Sequence, residues 1–385
     1  MPLPAHLPGL LAACRPIAPP SPPIGSRHRP RRRAAGLALA LAALPLGVQA
    51  QTSSVTLFGV VDLAARYSNN GKVTLKSLES GGMTSSRFGV QGVEDLGGGM
   101  KAAFWLEGGF LADSGANAPF SDTPRFWGRR ATVSLLGEGL GELRVGRNQT
   151  PFFNMYLSFD PFTCNGIGSV MNLIPVMGTR INPASGVGQQ DQARGRSDNS
   201  VQWGVAPGKA GAYGEVLVSA GEGVSGNRHR GARLGWVQGG ANVAMSWGDT
   251  QVYTVAKPDN RVREIGVAAA YDFGTVRVIG QVLDRRLDAN TRRLYVLSGT
   301  WREGPHQLRG TLSRYSDNQR TAAGLSQDAR QLSLGYLYGF SRRTSLYATY
   351  TRIDNDAGAA QRGSSLAGVA GQANTGLELG LRHGF

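Results

Sequence analysis

The sequence predicts an all-β fold, a sixteen-stranded antiparallel transmembrane β-barrel, on three observations. After residue 50, short segments alternate apolar and polar side chains, most of them near the ~10 residues that a tilted membrane strand needs. The connections between them tend to alternate between short and long. Glycine accounts for 55 of 385 residues, well above the usual ~7%, as a chain of many turns requires.

The first element is a leader. Residues 27–50 read RHRPRRRAAGLALALAALPLGVQA. An Arg cluster precedes an Ala/Leu run and then small residues, the order of a secretory signal. The apolar run is too short to span a bilayer. Cleavage is expected after Ala50, leaving 51–385 as the barrel domain. The Pro-rich stretch before it fits an over-extended start. LAAC at 11–14 suggests a lipoprotein box but has no Lys or Arg before it, and Arg31–Arg33 suit an ordinary signal better than a twin-Arg one. With the leader gone, Cys164 stands alone, which leaves no internal disulfide and no Cys-based metal site.

The sixteen strands are expected at 54–67, 84–93, 100–109, 125–137, 141–147, 198–205, 212–219, 231–238, 241–248, 262–272, 275–283, 292–301, 306–315, 329–339, 344–353 and 374–385. In the hairpin SSRFGVQGVEDLGGGMKAAFWLEGGF (85–110), Phe88 and Val90 share one face while Arg87 and Gln91 share the other. Ala102, Phe104 and Leu106 then oppose Lys101 and Glu107. EDLGGG, GG at 239–240, FG at 273–274 and FSRR at 340–343 are short turns. Residues 68–83, 110–124, 148–197, 249–261, 284–291, 316–328 and 354–373 are expected as long loops. Short turns at one end and long loops at the other suit an outer-membrane barrel. A closed barrel of this size encloses water, so its apolar face meets lipid and its ionic face lines a lumen. At the C-terminus, Leu377, Leu379, Leu381 and Phe385 share the lipid face, and Glu378 and Arg382 the other.

The formal net charge is +15; with the six leader Arg set aside, 35 basic residues face 26 acidic ones, or +9. Only five of the 41 basic residues are Lys. Such a surplus suits anionic solutes, an anionic membrane or nucleic acid, or is simply dispersed over solvated surface; within a barrel, nucleic acid drops out as a partner.

Several segments resemble the Gram-negative general porins, in particular the branch common in β-proteobacteria. They are SSVTLFGVVD (53–62), the 85–110 hairpin, FWGRRATVSLLGEGLGELRVGRNQTPF (126–152), RSDNSVQWGVA (196–206), QLSLGYLYGFSRRTSLYATYTRIDN (331–355) and LELGLRHGF (377–385). The resemblance implies a long third external loop folded into the lumen and a homotrimer. It implies passive diffusion of small hydrophilic solutes through the outer membrane. It also implies that Phe385 marks the chain for the outer-membrane assembly machinery.

Parity and that resemblance together nominate a pore constriction. Thr56, Phe58 and Asp62 face inward, as do Arg87 and Gln91. Arg129 matches the family's constriction Arg, which puts Arg130 outward or at the rim. The 148–197 loop holds Phe152, Phe153, Tyr156, Phe159 and Phe162 as anchors, and only two acids, Asp160 and Asp191. Asp160 is the expected loop carboxylate, with Arg180, Arg194 and Arg196 adding positive charge. Arg keeps its charge at any ordinary pH, so an Arg-lined constriction favours anions. If instead these Arg pair with Asp62 and Glu107, selectivity is weak.

Other chemistry is not supported. GEGVSG (221–226) fits a dinucleotide fingerprint but is followed by another strand-like run, and GVAPGKA (204–210) has the wrong spacing for a phosphate loop. His229, His306 and His383 are widely spaced and no nucleophile elbow occurs, so neither an enzyme nor a cofactor is expected. The competing reading is an adhesive or structural barrel plugged by its own loop.

Overall fold

The computed structural model describes residues 53–118, 125–174, 195–222, 228–252, 260–363 and 366–385. The leader and its cleavage point lie outside them. The strands are β1 (Ser53–Asn69), β2 (Thr74–Ser80), β3 (Arg87–Gly97), β4 (Met100–Gly109), β5 (Arg130–Gly137), β6 (Gly141–Gln149), β7 (Arg196–Val205) and β8 (Gly211–Ser219). They continue as β9 (His229–Gln238), β10 (Ala241–Val252), β11 (Asn260–Asp272), β12 (Val276–Leu287), β13 (Asn290–Glu303), β14 (His306–Asp317), β15 (Ala329–Gly339), β16 (Thr344–Asn355) and β17 (Asn374–Gly384). One helix, α1 (Pro151–Phe159), and a 3-10 turn over Val170–Leu173 follow β6.

Sixteen strands close a ring. From β3 to β17 each pairs antiparallel with the next. β1 completes the circuit, pairing with β3 through Ser53–Val60 and with β17 through Val60–Asn69. Beyond the closure, Gly59 and Phe385 exchange reciprocal backbone hydrogen bonds of 3.0 Å. Closure leaves no unpaired edge, which hydrocarbon would penalise heavily.

Two features differ from the sequence expectation. The short strand β2, inside the expected 68–83 loop, folds back on the loop end of β1. The expected long loop at 284–291 is a two-residue turn: β12 and β13 stay in register to Leu287 and Asn290, with Asp288 at a positive φ of 52°. Strands that rise above the bilayer carry polar residues on both faces, so in sequence they read as loop.

The two faces follow the strand period. Val55, Leu57, Val267, Leu297, Leu312 and Leu379 are exposed on the outside, while Asp62, Gln281, Ser298, Thr311 and Glu378, on the opposite parity, are buried within. At the short-turn end, aromatic rings gather on the outside: Tyr271 with Phe273, His306 with Tyr338, and Tyr338 with Phe340. Aromatic girdles of this kind mark the membrane–water interface. At the long-loop end the same outward parity turns ionic. Arg230 and Arg261 share Asp249, Arg286 and Arg293 share Asp284, and Arg352 pairs with Asp354.

Leu297→Arg, on the lipid face amid the apolar band, is expected to destabilise the barrel by about 2–4 kcal/mol, and Leu140→Arg, in the β5–β6 turn, by about 0–1 kcal/mol. Reversible denaturant unfolding in lipid vesicles would measure both.

A candidate pore constriction

The segment after β6 builds one wall of the site. Thr150 caps α1, its hydroxyl accepting from the Phe153 N–H, and Pro151 opens the first turn, where a missing N–H costs nothing. Phe152, Phe153, Met155, Tyr156 and Phe159 are buried against Leu283, Leu294, Tyr315 and Ile353. Gly266 leaves room for Met155, whose methyl would lie 2.3 Å from a Cβ there. Polar ties reinforce the packing. Gln281 donates to the Phe159 carbonyl (2.9 Å), Gln331 to the Ser169 carbonyl (3.1 Å) and Arg309 to the Pro161 carbonyl (3.2 Å), its guanidinium standing over Phe162. Each of these wall residues is on the inward parity of its strand. The segment therefore lies against the inner side of β8–β16.

Opposite it stands a cluster of arginines. A cleft of about 510 Å³ is lined by Arg87, Arg129, Arg130, Arg144, Arg196 and Arg382, with Glu107 the only carboxylate among its lining residues. Asn154, Leu157, Thr163 and Asn165 close the facing side. Arg129 hydrogen-bonds Glu107, and Arg87 approaches the same oxygen at 3.4 Å. Arg130 stands 4.8 Å over the Trp105 ring and 3.5 Å from Glu142, which also accepts from Arg144 at 2.5 Å. Arg196 donates to the Arg129 carbonyl (3.2 Å), tying two members of the cluster together. Five of the six guanidinium groups are held by two glutamates, the Arg129 carbonyl and aromatic faces, and the surplus of positive charge remains.

Arg87, Arg129 and Arg196, nominated from sequence, meet in this cleft. Arg130, expected outward, faces in. Arg129 precedes β5, so the inward parity begins at Arg130 and continues through Thr132 and Ser134. Arg144 and Arg382 were not nominated, although Arg144 alternates with the outward Leu143 and Val145 and Arg382 shares the inward face of β17 with Glu378. Asp62 and Asp160 face inward but do not line the cleft. Asp62 is fully buried, accepting from the Met83 and Thr84 amides (3.1 and 2.7 Å) and from the Tyr347 hydroxyl (2.5 Å). It thereby fixes the turn that presents Thr84 to the cleft. Asp160 accepts from the amides of Phe162, Cys164 and Val170 and organises the turn after α1. Burial pushes its carboxyl above the ordinary range, against the opposing pull of those amides and of Arg309. Arg180, Asp191 and Arg194 lie outside the described residues.

A closed barrel that is apolar outside, girdled by aromatic rings and charged within is an outer-membrane channel scaffold. Residues 36–358 match the Gram-negative porin family. The chain is 32% identical over 370 residues to outer membrane porin protein 32 of Delftia acidovorans, covering 91% of this chain and 99% of the relative. It is 28% identical over 275 residues to an outer membrane porin of Bordetella pertussis, 63% of this chain and 66% of that one. Among solved structures it superposes on the anion-selective porin from Comamonas acidovorans with a TM-score of 0.75 at 27% identity, over 87% of this chain and 100% of that one. The chain belongs to the Gram-negative porin family, is an outer-membrane protein and forms a diffusion channel.

Asp160→Ala would leave three amides without their acceptor, at a cost of about 1–3 kcal/mol for each that water does not reach. The expected outcome is a lower melting temperature in detergent and faster chymotrypsin cleavage between residues 152 and 162.

Proposed function

We propose that the channel passes small hydrophilic solutes with a preference for anions, and that the arginine cleft is its filter. The observation that carries this reading is the ratio of charges at the cleft: six guanidinium groups against Glu107 and the neighbouring Glu142. A solute entering between α1 and this wall passes within reach of several fixed positive charges in a passage with low-dielectric sides, where their potential is concentrated. Arginine cannot release its proton at ordinary pH, so the preference does not titrate away in the neutral range. The relative from Comamonas acidovorans, whose description names it anion-selective, supports the same assignment. Glu107 tempers the filter rather than cancelling it, since Arg87 and Arg129 share that one carboxylate. Asp62 and Asp160 act as positioning residues, holding the Thr84 turn and the α1 segment against the lumen wall.

The reading extends to assembly. The mature chain begins after Ala50, the barrels associate as homotrimers, and Phe385 serves as the recognition signal for the insertion machinery. The Phe385 ring is half exposed on the outer face, where a binding partner can reach it.

Reversal potentials in planar bilayers under a KCl gradient test the filter, and a wild-type cation preference would refute it. Arg87→Ala and Arg382→Ala are expected to lower the chloride-to-potassium permeability ratio. A unit charge ~4 Å from an ion in water-like surroundings is worth about 1 kcal/mol, roughly fivefold on one ion, and its loss acts oppositely on chloride and potassium, so the ratio is expected to fall by about fivefold or more for each. The preference should also weaken from 0.1 to 1 M salt, as the Debye length contracts from about 10 Å to 3 Å.

A further inference from the structure

The arginine cleft has an apolar patch that its charges do not explain. Trp105 lines the cleft, two residues from Glu107 toward the short-turn end of β4. Phe58 is inward on β1, directly opposite Gly89 of β3. A Cβ at Gly89 would lie 2.5 Å from the tip of the Phe58 ring, so glycine there lets the ring cross β3 toward β4. It comes to 4.9 Å from Trp105, measured between ring centroids. Leu157, on the α1 wall, is the other apolar residue of the lining.

These two rings differ from the other inward aromatics of the described strands. Tyr213, Tyr315 and Tyr347 are buried, and each donates its hydroxyl hydrogen, to Asn242, Asp317 and Asp62 respectively. Phe58 and Trp105 stay half-exposed, on the side of the lumen that the α1 segment leaves uncovered. Part of Trp105 is committed to the filter. Its Nε1 donates to Glu107 Oε2 (2.9 Å), which leaves Oε1 to Arg87 and Arg129, and Arg130 stands 4.8 Å over the ring. Bracing a carboxylate needs one N–H and not a second ring beside it. Two abutting rings kept in contact with water form an apolar surface, and such surfaces mark binding sites. A bare inorganic anion gains nothing from them.

We infer that the cleft carries a subsite for aromatic carboxylates, the carboxylate taken by Arg87, Arg129 and Arg130 and the flat ring laid against Trp105 and Phe58. The inference rests on the anion filter proposed above and names the solutes that filter is shaped to hold in transit. A carboxylate matches the planar fork of arginine. Aromatic rings attract one another in offset or edge-on contact beyond the area they bury. The guanidinium of Arg130, already over one ring, can face a second. At about 510 Å³ the cleft is within the usual range of small-molecule sites, about 300–1,000 Å³. A saturated ring of the same size and charge satisfies the arginines and the area but not the π-faces.

The test is a conductance titration of the full-length porin in planar bilayers at about pH 8, where carboxylates are ionised. Benzoate or cyclohexanecarboxylate is added to a chloride electrolyte, and the concentration that halves the chloride conductance is read for each. Wild type is expected to be half-blocked by benzoate at a concentration about threefold or more below that of cyclohexanecarboxylate, since an aromatic contact is worth roughly two- to tenfold. Trp105→Leu is expected to bring the two acids level, and Trp105→Phe to keep part of the difference. Phe58→Leu, which removes a ring with no hydrogen bond to lose, is expected to narrow the difference in the same direction and serves if Trp105→Leu does not fold. Equal block of wild type by the two acids would overturn the inference and leave the chloride preference standing. So would a Trp105→Leu channel whose chloride-to-potassium ratio changes while its benzoate discrimination does not, which would reduce Trp105 to a brace for Glu107. A wild-type preference for potassium over chloride would overturn the filter and this subsite with it.

Discussion

Hydrocarbon offers no hydrogen bonds, so a chain crossing it must pair each backbone N–H and C=O with another part of itself. Pairing β1 with β17 as well as with β3 meets that demand around the whole circumference. Once the ring is closed, the strand period of two assigns every side chain to lipid or to lumen. The exposed leucines and valines outside and the buried serines, glutamines and carboxylates inside are one consequence of that division. The arginine cleft is another, since β3–β7 and β17 can aim their charges at a common volume only because the wall is curved and continuous.

The interior is an organised polar surface on which apolar contacts are local. The α1 segment supplies an aromatic stripe, and the wall answers with a few inward leucines, a tyrosine and the space over Gly266. Two inward carboxylates are spent on backbone amides: Asp62 holds the Thr84 turn and Asp160 the turn after α1. With those anions committed to architecture, the cleft keeps its positive surplus.

Much of this was legible in the sequence because the contrast between lipid and water is steep and the strand period is short. All sixteen barrel strands coincide with alternating segments, and Arg87, Arg129 and Arg196 fall in the cleft. What escaped depends on where alternation starts or stops. Arg129 and Arg130 are adjacent, and only the position of the first β5 residue decides which has inward parity. TLKSLES (74–80) is short and polar, so β2 was invisible within its loop. Residues 284–291, the end of β12, its turn and the start of β13, rise above the bilayer, where neither face needs to be apolar. The roles of Asp62 and Asp160 depend on which amides the turns bring beneath each carboxylate, and no periodicity encodes a turn's path.

The seam between β1 and β17 sets a condition on how the protein comes to exist. Val60 pairs with Gly384 and Asn69 with Thr375, contacts between the first and the last strand of the barrel. Contacts of such long sequence separation form late and slowly. A nascent chain lacking β17 has an open edge along β1 that no other strand can cover, so it has no stable place within a bilayer. The circle can therefore be joined only once β17 has been made, and until then the greasy stripes of the other strands have to be kept from water in some other way.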